Sequence, residues 1–264
     1  MSALSSVVRL GRSTRSSITL LGSFTVLSWW IARRTCELPR HNLRLIGKIF
    51  LNQVWFTGID AAPIIAVLAS LIGGVSIIQS FSLLTVLADD LIGKFLVGLI
   101  VRELGPLITA VVLIVRSGTA IATEVGSMKI NGEIDVLRAH RINPLMFVIL
   151  PRVYGTIVAL FALTALFDII GILGGFGVAC MVADLSFALL RAKVLAALTN
   201  ADLVLHLIKA LLFGTAVGVL PCYFGLRVRE SPTELPIAVS KAAVASLVAV
   251  FLMDGLLVFF YYLQ

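Results

Sequence analysis

From Ala61 to Ala88 the chain runs for 28 residues without a charge. Bilayer hydrocarbon is about 30 Å thick, and about 20 apolar residues suffice to cross it as a helix. Runs of this kind recur. Phe95 to Val115 is broken only by Arg102 and Glu103. Val153 to Val182 holds Asp168, Leu203 to Tyr223 holds Lys209, and Ala242 to Tyr262 holds Asp254. The apolar excess is gathered into runs of membrane length, which marks a polytopic membrane protein. The reading is an all-α integral membrane protein with five transmembrane helices. Composition agrees, since only 13% of residues are charged against about 25% in soluble domains. No hydrophilic stretch is long enough for a separate soluble fold, so residues 55–264 are read as one transmembrane domain.

Residues 1–54 differ. They carry eight basic residues against the single acid Glu37. Between the arginines lies SSITLLGSFTVLSWWIA, residues 16–32, ending in Trp29 and Trp30. Tryptophans beside arginines favour the membrane interface. We read an interfacial helix lying on one leaflet, with a further span as the alternative. No small-residue cleavage site follows it. Cys36, Cys180 and Cys222 are widely separated and show no metal or disulfide spacing.

Charge sets the orientation. With five spans and a cytoplasmic N-terminus, sixteen basic residues fall on the cytoplasmic side. Three fall outside: Lys94, Arg191 and Lys193. The positive-inside rule therefore puts residues 116–145 in the cytoplasm and the C-terminus outside. The net charge of +7 is accounted for by cytoplasmic loops and anionic headgroups, not by nucleic acid.

Catalytic signatures are missing. There is no GxxxxGK[ST], HExxH or GxSxG. His41, His140 and His206 are too scattered in sequence to suggest a metal site. The loop after the second span carries the strongest local signal. Asn131 is placed to cap a short helix. Glu133 and Asp135 fall in its first turn, and Arg138, His140 and Arg141 in its last, matching the helix dipole. Ile134 and Leu137 share a face, and Asn143-Pro144 stops the helix. Upstream, Ile121, Val125 and Met128 form a second apolar stripe. Two short helices bending around Gly126 and Gly132 are expected. Glu124, Lys129, Glu133, Asp135 and Arg138 would offer such an element to a soluble partner.

The intramembrane charges are costly if they face lipid. Arg102, Glu103, Asp168, Lys209 and Asp254 imply either a polar-lined pocket or ion pairs between helices, such as a carboxylate with Lys209. Both readings stay open for Glu103, while Arg102 near a membrane face can snorkel. Gly73, Gly74, the Gly171/Gly175 pair and the Gly214/Gly218 pair permit close helix contact.

Certain residues carry a resemblance. RELGP at 102–106, RSGTAIATEVGSMK at 116–129, GEIDVL at 132–137, NP at 143–144 and PR at 151–152 resemble the signature region of the MlaE/YrbE family. IQSF at 78–81 and CYFGLRVRESPTELPIAVSKAAV downstream are similar to further family segments. Gly132 stands where relatives carry an acid, and ESPTELP replaces a glycine-rich segment. The family comprises permease subunits of MCE-type ABC transporters of phospholipids and related lipids. The resemblance implies a homodimer in a bacterial inner membrane, with two cytoplasmic ATPase subunits that bind ATP and magnesium. It implies an MCE-domain protein on the periplasmic side, and no cofactor, metal or catalysis on this chain. Residues 117–143 would seat the ATPase. Leu71, Val75, Gln79, Phe81 and Glu103 would line a lipid cavity at the dimer. A membrane scaffold without transport is the alternative. An enzyme using Glu103 and Asp254 as acid and base would lack a nucleophile or metal.

Overall fold

The computed structural model describes residues 43–84, 91–182, 187–229 and 231–263. The interfacial reading of 16–32 lies outside them. The described residues are almost all helical, with no strand among them. Five helices are long and apolar enough to cross a membrane: Gly47–Gln79, Gly93–Ile130, Leu145–Val178, Asn200–Leu226 and Pro232–Tyr261.

The first span joins α1 (Leu43–Gly58) to α2 (Ala62–Leu84) through a 3₁₀ turn at Ile59–Ala61. Pro63 sits in the first turn of α2, where its missing N–H does least harm. α1 packs along the third span, so residues 43–54 join the bundle.

The second span is one long rod. It contains α3 (Leu91–Leu96), a π-helical stretch Val97–Leu104 and α4 (Gly105–Leu113). A second π-helical stretch, Ile114–Gly118, leads into α5 (Thr119–Ile130). The expected end at Val115 is therefore corrected: the helix runs on to Ile130. At 1.5 Å per residue its 38 residues reach about 57 Å, well beyond about 30 Å of hydrocarbon. The expected bend at Gly126 is absent. Gly126 is helical, and a Cβ there would strike Leu235, beside Val228 and Gly225. Packing of the fifth span, not chain flexibility, explains this glycine.

α6 (Glu133–Ala139) follows. A π-helical stretch Leu145–Ile149 then opens the third span, α7 (Leu150–Val182). α8 (Phe187–Ala197) fills a segment read from sequence only as a loop. The fourth span is α9 (Asn200–Leu226) and the fifth is α10 (Leu235–Tyr262).

Small residues set the crossings. A Cβ on Gly73 would collide with the Gly171 carbonyl, and Gly175 lies against Ile77 and the Gly73 carbonyl. Gly214 and Gly218 seat Ile157 and Val153 in the same way. The third span therefore packs closely on both the first and the fourth. Gly73→Val should destabilise the first span's packing by at least about 2 kcal/mol, typical of overpacking. Thermal unfolding of the purified chain, followed by aggregation, measures this; an unchanged midpoint would remove the crossing from the account.

Candidate functional site

One face of α9 is polar inside the bundle. Asp202, His206 and Lys209 follow helical spacing and are buried. Lys209 is fully buried. Its Nζ donates to Glu103 Oε2 at 3.0 Å and to the Arg102 carbonyl at 2.7 Å, and lies 2.7 Å from Asp254 Oδ1 in an ion pair. Arg102 lies in the π-helical stretch, and Pro106, four residues on, has no N–H to offer its carbonyl; the lysine supplies a donor.

Arg102 Nε pairs with Asp202 Oδ1 at 2.5 Å, and its guanidinium lies over the Tyr261 ring. Asp202 also accepts the Thr199 N–H and hydroxyl at the start of α9. Asp168 Oδ2 meets His206 Nδ1 at 3.2 Å, and His206 Nε2 meets Thr164 Oγ1 at 2.9 Å. Every intramembrane charge singled out in the sequence is thus paired between helices. The pairing with Lys209 involves Glu103 and Asp254 together. Sequence reading missed His206 and Thr164; the 202–206–209 spacing on one helix was the available signal.

At the opposite end of the rod, α5 and α6 form an elbow. Gly132 joins them at φ +74°, a left-handed conformation that glycine adopts without strain. Gly132, not Asn131, precedes the first turn of α6. Asn131 ends α5, and its amide reaches Glu133 Oε1 at 3.4 Å. The expected cap is corrected accordingly. Ile134 is fully buried among Ile121, Val125, Val148 and Val219, with Met128 and Leu137 packed on this cluster. The two predicted apolar stripes therefore meet in one small core.

Glu133 and Asp135 do occupy the first turn of α6, and Arg138 its last. His140 and Arg141 fall just past it. The Arg141 N–H bonds the Arg138 carbonyl and the Ile142 N–H the Leu137 carbonyl, both at 2.9 Å. This is a Schellman closure with Arg141 at φ 60° where glycine is usual. Arg141→Gly should stabilise the elbow by about 1 kcal/mol, read as slower hydrogen exchange in 133–139. Unchanged exchange would remove the strain from the account. Asn143 begins the next helix instead of only stopping this one, because its Oδ1 accepts the Leu145 N–H at 3.1 Å.

The expected coupling residues lie together on this elbow. Lys129 Nζ and Arg138 Nη1 hold the two Asp135 oxygens at 3.1 and 3.0 Å. The Lys129 hydrogen bond, with Arg138 adding, holds the Asp135 carboxyl below its ordinary value of 3.8. A depressed carboxyl stabilises the fold above its unfolded pKa, and that contribution is lost only as pH falls through the folded value. Glu124 Oε1 binds Arg152 Nη2 at 2.6 Å, and Arg152 Nη1 holds the Val148 carbonyl at 2.7 Å. The start of the third span is thereby clamped to the elbow. Val136 and Ile142 stay exposed on its surface.

The expected cavity residues are arranged differently. Leu71 and Val75 are 61% and 54% exposed on α2, and Gln79 shares that exposed face. Glu103 instead turns to Lys209 and Asp254 of the fourth and fifth spans. The side chain of Phe81 lies outside the described residues. A groove of about 420 Å³ lies on the elbow's side, lined by Phe224, Arg227, Arg229, Ile237 and Lys241 among others. It is separate from the α2 face. Among the described residues no cluster of His, Cys, Asp and Glu can hold a metal.

Known proteins align with this arrangement. Residues 50–260 match the family described as Permease MlaE. A Rickettsia conorii protein named as a probable ABC transporter permease is 26% identical over 249 residues, covering 94% of each chain. The Arabidopsis thaliana protein TRIGALACTOSYLDIACYLGLYCEROL 1, chloroplastic, is 29% identical over 83% of this chain and 65% of its own. The Haemophilus influenzae permease protein MlaE of an intermembrane phospholipid transport system is 31% identical over 50% of this chain and 54% of its own. The chain, with five candidate spans among its described residues, belongs to the MlaE permease family and is a multi-pass ABC-transporter permease subunit of the inner membrane.

Proposed function

We propose that the chain is the lipid-translocating subunit of an MCE-type transporter. It works as a homodimer, moves phospholipid or a related lipid, and hands it to or takes it from a periplasmic MCE-domain protein. Two cytoplasmic ATPase subunits hold ATP and magnesium and perform the hydrolysis; this chain is not itself an enzyme. The N-terminus and elbow face the cytoplasm, and the C-terminus faces the periplasm. Residues 1–54 attach the bundle to the cytoplasmic leaflet.

One observation carries this reading. A single rod, Gly93–Ile130, joins the elbow to the Arg102–Glu103 network across the membrane. A partner that seats Glu133, Asp135, Arg138 and the exposed Val136 grips the end of that rod. Displacement of the rod moves Glu103 against Lys209 and Asp254, so work at the elbow is felt deep in the bundle. Lys129 and Glu124 hold the elbow in shape through Asp135 and Arg152. The exposed α2 face at Leu71, Val75 and Gln79 is offered as the dimer-shared lipid cavity, with Phe81 at its end and Glu103 as its polar boundary.

A photo-crosslinker at Leu71 or Val75 in an active complex should capture lipid. Capture only from fifth-span positions, with none from α2, would move the cavity elsewhere. Impermeant labelling of single cysteines at 186–200 in intact cells tests orientation: reaction supports a periplasmic segment, and protection until lysis contradicts it.

A further inference from the structure

Three short contacts run in a row deep in the bundle. Asp168 Oδ2 lies 3.2 Å from His206 Nδ1, and His206 Nε2 lies 2.9 Å from Thr164 Oγ1. Thr164 Oγ1 lies 2.9 Å from the Phe161 carbonyl oxygen. Each is a hydrogen bond only if it contains a proton. The carbonyl has none to give, the threonine hydroxyl brings one, and a neutral imidazole brings one. For all three to be hydrogen bonds at once, a third proton has to be held by the Asp168–His206 pair itself.

The surroundings point the same way. Asp168 and His206 are both buried. The second Asp168 oxygen, Oδ1, has no hydrogen-bond partner among the described residues. It lies against Gly105, where a Cβ would strike it. No lysine or arginine among the described residues pairs with it. Arg102 of the second span is paired with Asp202. Glu103 of the second span and Asp254 of the fifth are both paired with Lys209. An unneutralised carboxylate at this depth is costly.

We propose that Asp168 and His206 form an intramembrane proton-binding site that takes up and releases one proton, with Thr164 as its rotating hydroxyl. With the proton bound, all three contacts are hydrogen bonds. On release, Nδ1–H remains directed at Asp168, and Thr164 turns its O–H from the Phe161 carbonyl to Nε2. The carboxylate then carries an uncompensated charge against Gly105, two residues from Glu103 on the rod. Proton occupancy thereby biases the position of the second span, which makes proton uptake and release a step in the conformational cycle.

The test uses the full-length chain in lipid nanodiscs. Ring-nitrogen NMR of His206, assigned with His206→Gln, is combined with infrared spectroscopy of the Asp168 carboxyl between about pH 5 and about pH 8. The expected result is one proton on the pair at the acidic end, seen as a doubly protonated ring or a protonated carboxyl. Asp168→Asn should abolish this titration while preserving the fold, since the amide N–H donates to Nδ1 and Nε2–H to Thr164 with no extra proton. A neutral ring beside an ionised Asp168 across the whole range overturns the proposal. A titration that persists unchanged in Asp168→Asn also overturns it. Neither readout needs a transport partner, so the result stands apart from the proposed function.

Discussion

Lys209→Met should prevent the folded chain from accumulating in the membrane. The substitution keeps the length of the side chain and removes its charge. It leaves Glu103 and Asp254 facing each other, together with an Arg102 carbonyl that loses its donor. Removing one partner of a buried ion pair costs about 3–5 kcal/mol. That is a large fraction of the roughly 5–15 kcal/mol that holds a typical protein together. Adding Glu103→Gln and Asp254→Asn to Lys209→Met should restore much of the loss, because the buried charges are then gone together. Membrane abundance and thermal stability of the single and triple variants measure this. Equal abundance of Lys209→Met and wild type would show that the network does not hold the spans. A triple variant as poor as the single would place the defect in packing instead of charge.

The second large effect concerns the elbow. Glu133→Lys should weaken ATPase association and abolish lipid transport while leaving the permease folded. Glu133 is exposed, and Asn131 reaches it through a long hydrogen bond. The bundle therefore loses little when its charge is reversed. A partner's cation facing it would lose a charge-assisted hydrogen bond, on the order of 1.5–3 kcal/mol, and would meet repulsion in its place. Glu230→Lys, in the segment that the sequence reads as the other cytoplasmic loop, should do much less. Pull-down of the ATPase and transport complementation, run on both variants, separate the outcomes. Full association and full transport with Glu133→Lys would remove the elbow from coupling. Loss of the permease itself would assign the residue a structural role.

Much of the architecture was legible because lipid admits few solutions. Charge-free runs such as 61–88 allow a membrane helix and little else. Glycines at 73, 171, 214 and 218 mark where helices touch. Boundaries were harder to read. ATEVGSMK reads as a short helix bending at Gly126, yet between Gly118 and Ile130 nothing stops a helix, and Gly126 is where Leu235 of the fifth span leaves no room for a Cβ. The Asn131 cap failed because a left-handed Gly132 turns the chain first. Pairing was half visible. Lys209 amid apolar sequence demanded a carboxylate, but only the fold shows that two carboxylates and a proline-freed carbonyl converge on it. Arg152 looked like one more loop base. Its role as a clamp on Glu124 depends on bringing 124 beside 152, which no local pattern records. Arg141 carries a left-handed turn without the glycine that would have announced it.

The central claim is that an ATPase drives this bundle through the elbow to move lipid. The most direct test is to isolate the tagged full-length chain from its native membrane in native nanodiscs and identify by mass spectrometry everything bound. The account predicts an ABC ATPase in equal number with this chain, together with retained phospholipid, and depletion of the ATPase alone in Glu133→Lys. A chain that emerges with other partners but no ATPase, or an ATPase retained fully by Glu133→Lys, would contradict it.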